Sequence, residues 1–239
     1  MAKDLGGVVF NDYSAEVLDT MHDAVDLTAY DADLYPVELE TALDTLDAAR
    51  YAELTRGGSL EDALAGLAAA RDAGFSRTKV NCVLMGGVND VDVPRLAELA
   101  RTEPIDVRFI ELMPMGPCAH WSGERFLPAG VILDRFPALR PLPGDGGVAR
   151  RYQLPGAQGT VGLISPLSCD FCAQCRRLRV TADGHLLPCL HGRAEQNLRG
   201  LHGEALENAI LAGAMAKPLR HHLAAGGSDT ARDMNEIGG

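Results

Sequence analysis

Apolar and polar positions change rhythm several times along the chain, and each change marks an element. Over residues 48–73 Ala and Leu recur at helical spacing, which predicts helix. The run 79–85 (KVNCVLM), closed by Gly86-Gly87, predicts a short buried strand. Asp90 is placed to cap a second helix over 94–102, and 107–113 (VRFIELM) reads as another buried strand. Strands separated by helices of this length predict a parallel sheet with right-handed crossovers, as in barrels and doubly wound folds. In barrels, function gathers at the C-terminal ends of the strands.

From residue 148 the rhythm shortens to alternation about a Gly-containing turn, which predicts an antiparallel hairpin over 148–168. A second hairpin is predicted where 178–181 and 186–190 flank Asp183-Gly184, a favoured tight-turn pair; it would return Cys175 and Cys189 to one end of a ribbon. Residues 203–223 predict an amphipathic helix. Linker-like composition is confined to 141–147 (PLPGDGG) and 224–228 (AAGGS).

With 239 residues and 46% hydrophobic content, the chain can bury one large core or two small ones. A formal net charge of −11 argues against a general nucleic-acid or anionic-membrane surface, which gains affinity from clustered Lys and Arg, so any phosphate site must be local. No apolar run reaches the roughly 18 residues of a membrane span, and the first residues lack the apolar core of a secretory signal. The expected location is therefore the cytoplasm, whose reducing thiols favour reading clustered cysteines as metal ligands over disulfides. Four of the six cysteines are clustered.

That cluster is Cys169-x2-Cys172-x2-Cys175-x13-Cys189: close thiols on one loop and another brought back by a hairpin. Thiolates suit zinc or an iron–sulfur cluster, and the spacing alone does not choose between them. A zinc ribbon using His185 or His191 as a further ligand, and a set of merely buried thiols, both stay open at this level.

The residues around the cysteines are more specific. Cys172-Ala-Gln-Cys175-Arg-Arg177-Leu178-Arg179-Val-Thr-Ala-Asp-Gly-His-Leu-Leu-Pro-Cys189-Leu190 closely resembles the signature FCxxCNRLRLTxDGxLxxCL of the GTP 3′,8-cyclase family (MoaA-like proteins of molybdenum cofactor biosynthesis, in the radical SAM superfamily). Lys79-Val-Asn81, Gly87-Val-Asn89-Asp90, Arg108-Phe-Ile-Glu-Leu-Met113-Pro-Met115-Gly116 and the terminal Met234-Asn-Glu-Ile237-Gly238-Gly239 are similar to segments of that family in the same order. The resemblance runs from about residue 42 to the C-terminus.

The resemblance implies an α/β fold: a partial, incomplete TIM-like radical SAM barrel followed by a small C-terminal iron–sulfur region of β-hairpins and helices. On this reading 1–36 is an unassigned segment, 37–147 holds the later βα units and 148–239 the auxiliary cluster region. The implied activity is that of a lyase that rearranges GTP by radical chemistry toward cyclic pyranopterin monophosphate. It uses a first 4Fe-4S cluster that cleaves S-adenosylmethionine (SAM) and an auxiliary 4Fe-4S cluster with three cysteine ligands. Carried over by position, the auxiliary ligands are Cys172, Cys175 and Cys189; GTP contacts are Lys79, Arg177, Leu178 and Arg179; SAM contacts are Thr45 and Met113. Guanidinium groups two residues apart on a strand share a face and make fork-shaped bonds to phosphate or purine oxygens.

Two departures qualify the expectation. No cysteine precedes Cys82, so the Cys-x3-Cys-x2-Cys loop of the SAM-cleaving cluster is absent, and a truncated form is expected to be inactive unless another chain supplies the missing N-terminal half. Cys169 adds a thiol to the signature and is expected not to be a ligand; Cys82 and Cys118 are read as packing residues, and His221 and His222 as surface residues. GTP is the implied partner, with a homodimer also open. The alternatives are a non-catalytic iron–sulfur and GTP-binding module and a structural zinc ribbon.

Overall fold

The computed structural model describes residues 38–75, 77–169, 171–223, 227–232 and 234–237; the segment 1–36, the Gly238-Gly239 pair and residues 224–226 of the second linker lie outside them. The chain divides into two compact units. The first runs to Ile110 and includes Ala129–Ile164; the second comprises Glu111–Pro128 and Ser165 onward.

The first unit is built from β1 (Glu38–Ala42), α1 (Ala48–Leu54), α2 (Leu60–Asp72), β2 (Arg77–Leu84), α3 (Val93–Thr102), β3 (Ile105–Glu111), α4 (Val131–Arg135), β4 (Arg140–Pro141), β5 (Arg150–Gln153) and β6 (Thr160–Ile164). Among the described residues these strands form one six-stranded sheet in the order β1-β2-β3-β6-β5-β4. β1 pairs parallel with β2 and β3 parallel with β6, as expected of strands joined through helices. β4, β5 and β6 pair antiparallel, which matches the hairpin expected from the alternation after residue 148.

Period-two burial explains why β2 is a strand. Val80, Cys82 and Leu84 are fully buried, while Lys79, Asn81 and Val83 on the other face are half-buried. The apolar face packs with Val107 and Phe109 of β3, Val161 and Leu163 of β6, and the Val93, Leu96, Ala97 and Ala100 stripe of α3 in the buried core. Burying a side chain of Val, Leu or Phe size contributes about 1.5–3 kcal/mol.

Two expectations are corrected here. The continuous helix over 48–73 is two helices, because Arg56 and Gly57 take positive φ (59° and 112°); Asp47 and Ser59 each cap one by accepting the N–H of Arg50 and of Asp62. Asp90 does not cap the next helix. It accepts the Gly87 N–H at 2.9 Å within the preceding turn, and α3 starts after Asp92, whose carboxylate is committed elsewhere and makes no cap bond.

The second unit carries 3-10 turns at Gly116–His120, Gly123–Arg125, Cys172–Gln174 and Met234–Glu236. It also contains β7 (Arg179–Val180), β8 (His185–Leu187), β9 (Gln196–Asn197) and α5 (Gly203–Met215). The three strands form an antiparallel sheet, β7-β8-β9, and the expected hairpin about Asp183-Gly184 is present, with Gly184 at φ 78°. The helix expected over 203–223 stops at Met215, three residues before Pro218, which cannot continue it. α5 lies close on β8: a Cβ on Gly213 would come 2.3 Å from Leu186 Cδ2, so only glycine fits this approach as it stands. Among the described residues no helix is long and apolar enough to cross a membrane.

Candidate cluster and nucleotide site

Cys172 opens a 3-10 turn that Cys175 closes, with the Cys175 N–H donating to the Cys172 carbonyl at 3.2 Å. The chain then enters β7, turns at 181–184 and returns as β8. In this antiparallel register Arg179 pairs with Leu187 and Val180 with Leu186. Continued outward, the same register sets Arg177 level with Cys189, two residues from Cys175. The pair of strands is fastened at that level by one side chain: Lys217 Nζ donates to the Arg177 carbonyl at 2.7 Å and to the Pro188 carbonyl at 2.8 Å. Cys172, Cys175 and Cys189 are in no disulfide and of intermediate exposure, whereas Cys169 is exposed.

Arg177 is exposed; Leu178 and Arg179 are half-buried. Burial, and behind it the like charge of Arg177, hold the Arg179 pKa below its ordinary value, while Cys175 acts in the opposite direction. Two guanidinium groups that repel each other beside thiols form a local concentration of positive charge on an acidic protein, and an anionic ligand would relieve it. Arg179 Nη1 also donates to the Ile237 carbonyl at 3.1 Å.

Beneath the ribbon, Met115, Leu187 and Ile237 form a buried apolar cluster, against which Met113, Leu190 and Met234 pack. Met113, matched above to a SAM contact, is thus a half-buried member of this cluster. The loop leading to the cysteines is held by Glu111. Its buried carboxylate accepts the N–H groups of Leu167 and Ser168 at 2.8 and 2.9 Å and the Ser168 hydroxyl. Sequence reasoning overlooked Glu111 and Lys217. A signal for the first existed, since an acid within the apolar run VRFIELM demands buried partners.

In the first unit, Lys79 is half-buried on the sheet face opposite the apolar core, level with Glu40 in the β1–β2 register. Glu40 Oε1 accepts from Asn81 Nδ2 (2.9 Å) and Arg108 Nη1 (3.1 Å), and the buried Asn81 Oδ1 meets no donor. This face is polar where the other is apolar, as a ligand-facing surface requires. Thr45 is different. It is wholly buried, and its hydroxyl donates to Asp92 at 2.5 Å, where Arg50 also binds. It ties the exit of β1 to the start of α3.

The remaining titratable groups are structural in their settings. Cys82 is fully buried and its thiol pKa is pushed well up by that burial; Cys118 is shifted in the same direction for the same reason. His191 is also buried, its pKa lowered to about 4 chiefly by burial, with His221 packed edge-on at 5.2 Å. His221 thereby belongs to a packed pair rather than to the open surface, while His222 is exposed and faces Asp229 at 3.1 Å. A cavity of about 250 Å³ adjoins Cys189, His191 and His221. Among the described residues no three His, Cys, Asp or Glu side chains meet closely enough to hold a single metal ion. His185 and His191 are each turned to another partner, Asp183 at 3.2 Å and Ser228 at 3.3 Å.

Comparison with known proteins bears on this arrangement. A family model of the radical SAM superfamily matches residues 7–100, and one described as Molybdenum Cofactor Synthesis C matches residues 105–223. The GTP 3',8-cyclase of Alkaliphilus metalliredigens is 42% identical over 206 residues, covering 84% of this chain and 64% of the relative. That of Pelotomaculum thermopropionicum is 42% identical over 212 residues (84% and 65%), and that of Marinobacter nauticus 40% over 213 residues (84% and 64%). The chain is thus similar to GTP 3',8-cyclases along most of its length. The two matched regions follow one another at residues 100 and 105, close to the start of β3. The chain spans just under two thirds of the length of the curated GTP 3',8-cyclases it matches.

Proposed function

We propose that this chain contributes the nucleotide-holding part of a GTP 3′,8-cyclase of molybdenum cofactor biosynthesis, a radical SAM lyase acting on GTP. In it Cys172, Cys175 and Cys189 hold an auxiliary 4Fe-4S cluster, and the first unit is part of an incomplete TIM-like barrel. The observation that carries the reading is the β7–β8 register with its Lys217 tie, by which one ammonium bonds the carbonyls of Arg177 and of Pro188, the residue before Cys189.

The donor set supports such a group. A 4Fe-4S cluster offers a separate iron to each thiolate, so its ligands surround a body instead of meeting at a point, and three partly exposed cysteines outside any disulfide, on a turn and after a hairpin, suit it. When bound, the cluster supplies an iron with an open position able to hold a purine. Arg177 and Arg179 would bind phosphate or purine oxygens and orient the nucleotide by paired donors, with Leu178 contributing backbone contact. In the first unit, Lys79 is itself a proposed GTP contact. Thr45 and Met113 are the proposed SAM contacts, the latter within the apolar cluster. Cys169, exposed and one turn earlier, stays outside the ligand set.

These 239 residues contain no Cys-x3-Cys-x2-Cys loop, so the SAM-cleaving cluster of the complete reaction is supplied from outside them. The same observation favours a second reading, in which the chain holds cluster and GTP without radical chemistry. Anaerobic reconstitution with iron and sulfide tests both. About four irons per chain, and an electron paramagnetic resonance spectrum of the reduced cluster that changes on adding GTP, are expected. One zinc per chain with no iron, or a cluster spectrum indifferent to GTP, would refute the proposal. Deoxyadenosine formed from SAM by this chain alone would eliminate the second reading.

A further inference from the structure

Arg232 bonds two carboxylates in the second unit. Its Nε and Nη2 grip the Glu195 carboxylate at 2.7 and 2.8 Å, and Nη2 also reaches Asp183 at 2.9 Å. Asp183 lies in the β7–β8 turn and is held in addition by the Thr181 hydroxyl, while Glu195 immediately precedes β9. One guanidinium thus joins the hairpin turn to the neighbouring strand, and without it two carboxylates would face each other. Both carboxylates have pKa values lowered by this contact. An isolated exposed ion pair contributes little, but a fork on one carboxylate extended to a second is the geometry in which such contacts count.

Five residues further on, Ile237 is 1% exposed, packed with Met115 and Leu187, and its carbonyl receives Arg179 Nη1. The C-terminal segment therefore touches the hairpin twice: at the turn through Arg232, and at the start of β7 through Ile237. The second contact directs the arginine that stands beside the cysteines.

We infer that Arg232 is a positioning residue. By clamping the C-terminal segment onto Asp183 and Glu195 it seats Ile237, whose carbonyl takes an Arg179 donor and fixes the plane of that guanidinium for the proposed nucleotide site. The inference rests on the proposed nucleotide site. Losing the clamp should leave the cysteines in place and let Arg179 swing, converting a pre-aimed contact into one that must be ordered on binding.

The test uses the full chain reconstituted with iron and sulfide, with GTP affinity measured by calorimetry for Arg232→Ala, Arg232→Lys, Arg179→Ala and the Ala double variant. Iron per chain serves as a control, and hydrogen exchange of residues 229–237 reports docking. Arg232→Ala should weaken GTP about tenfold, a loss of about 1.4 kcal/mol, with iron unchanged and exchange of the segment raised. Arg232→Lys should recover part of the affinity, and Arg232→Ala should cost less than about twofold more once Arg179 is already Ala. Equal losses with and without Arg179, or an unchanged affinity in Arg232→Ala while Arg179→Ala is weak, would overturn the inference and leave the site standing. No effect of Arg179→Ala would overturn the site itself and the inference with it. Should Arg232→Ala not fold, the isosteric pair Asp183→Asn with Glu195→Gln removes the same clamp and carries the same expectations.

Discussion

Lys217 offers a direct way to probe the ribbon end, because its one ammonium bonds two carbonyls on opposite strands, Arg177 at 2.7 Å and Pro188 at 2.8 Å. Replacing it with Met keeps the length and apolar stem of the side chain and removes the donor. A hydrogen bond from a charged group contributes about 1.5–3 kcal/mol when buried; the bond to Arg177 is exposed and the other part-buried, so together they are worth about 2 kcal/mol. At about 1.4 kcal/mol per factor of ten, that raises the fraction of molecules with an opened ribbon end about thirtyfold. Cys189 follows Pro188 directly, so opening there exposes whatever the thiols hold. The assay is the rate at which a chelator strips iron from the reconstituted chain, followed by the loss of cluster absorbance. Lys217→Met should accelerate stripping by one to one and a half orders of magnitude, about the factor of the opening equilibrium, and Lys217→Arg should fall between it and the parent. A Lys217→Met chain that keeps its iron as long as the parent, with the same urea midpoint, would refute the claim that this tie holds the site together.

Three further outcomes are expected. Burial raises the Asp44 pKa although the Val83 N–H, at 2.7 Å, opposes it; above the ordinary carboxylate pKa the unfolded chain ionises first, the native state binds more protons, and stability falls as pH rises. Asp44→Asn, which can still accept from Val83, should remove that decline between pH 4 and 7 in urea titrations; an unchanged slope would contradict it. Thr45→Val takes a donor from the buried Asp92 and should cost about 1–3 kcal/mol in the same assay, and a loss under a few tenths would show the contact to be idle. Gly184→Ala puts a Cβ at φ 78° and 2.8 Å from Arg199 Cγ, so about 1–2 kcal/mol of destabilisation and poorer cluster retention are expected, with no change in either counting against the turn's role.

The amino-acid sequence by itself determined the local elements and the chemistry within reach of one another along the chain. Short apolar runs marked β2 and β3, alternation marked the β5–β6 hairpin, Asp183-Gly184 marked the turn of the ribbon, and the cysteine spacing put two thiols on one turn and a third just after the returning strand. Even the break in the first helical stretch was legible, since Gly57-Gly58 sits at it. Tertiary structure alone decided the pairings between distant side chains: Arg50 and Thr45 with Asp92, Glu111 with the loop before the cysteines, Lys217 across the ribbon, and Arg232 on Asp183 and Glu195. Those contacts bridge 29 to 57 residues, and so they follow from which elements become neighbours when apolar faces are buried. Periodicity reports whether a position faces the core or the solvent; it does not encode which carboxylate a guanidinium will meet there. That is why the buried bond from Thr45 to Asp92 was not readable in the linear sequence.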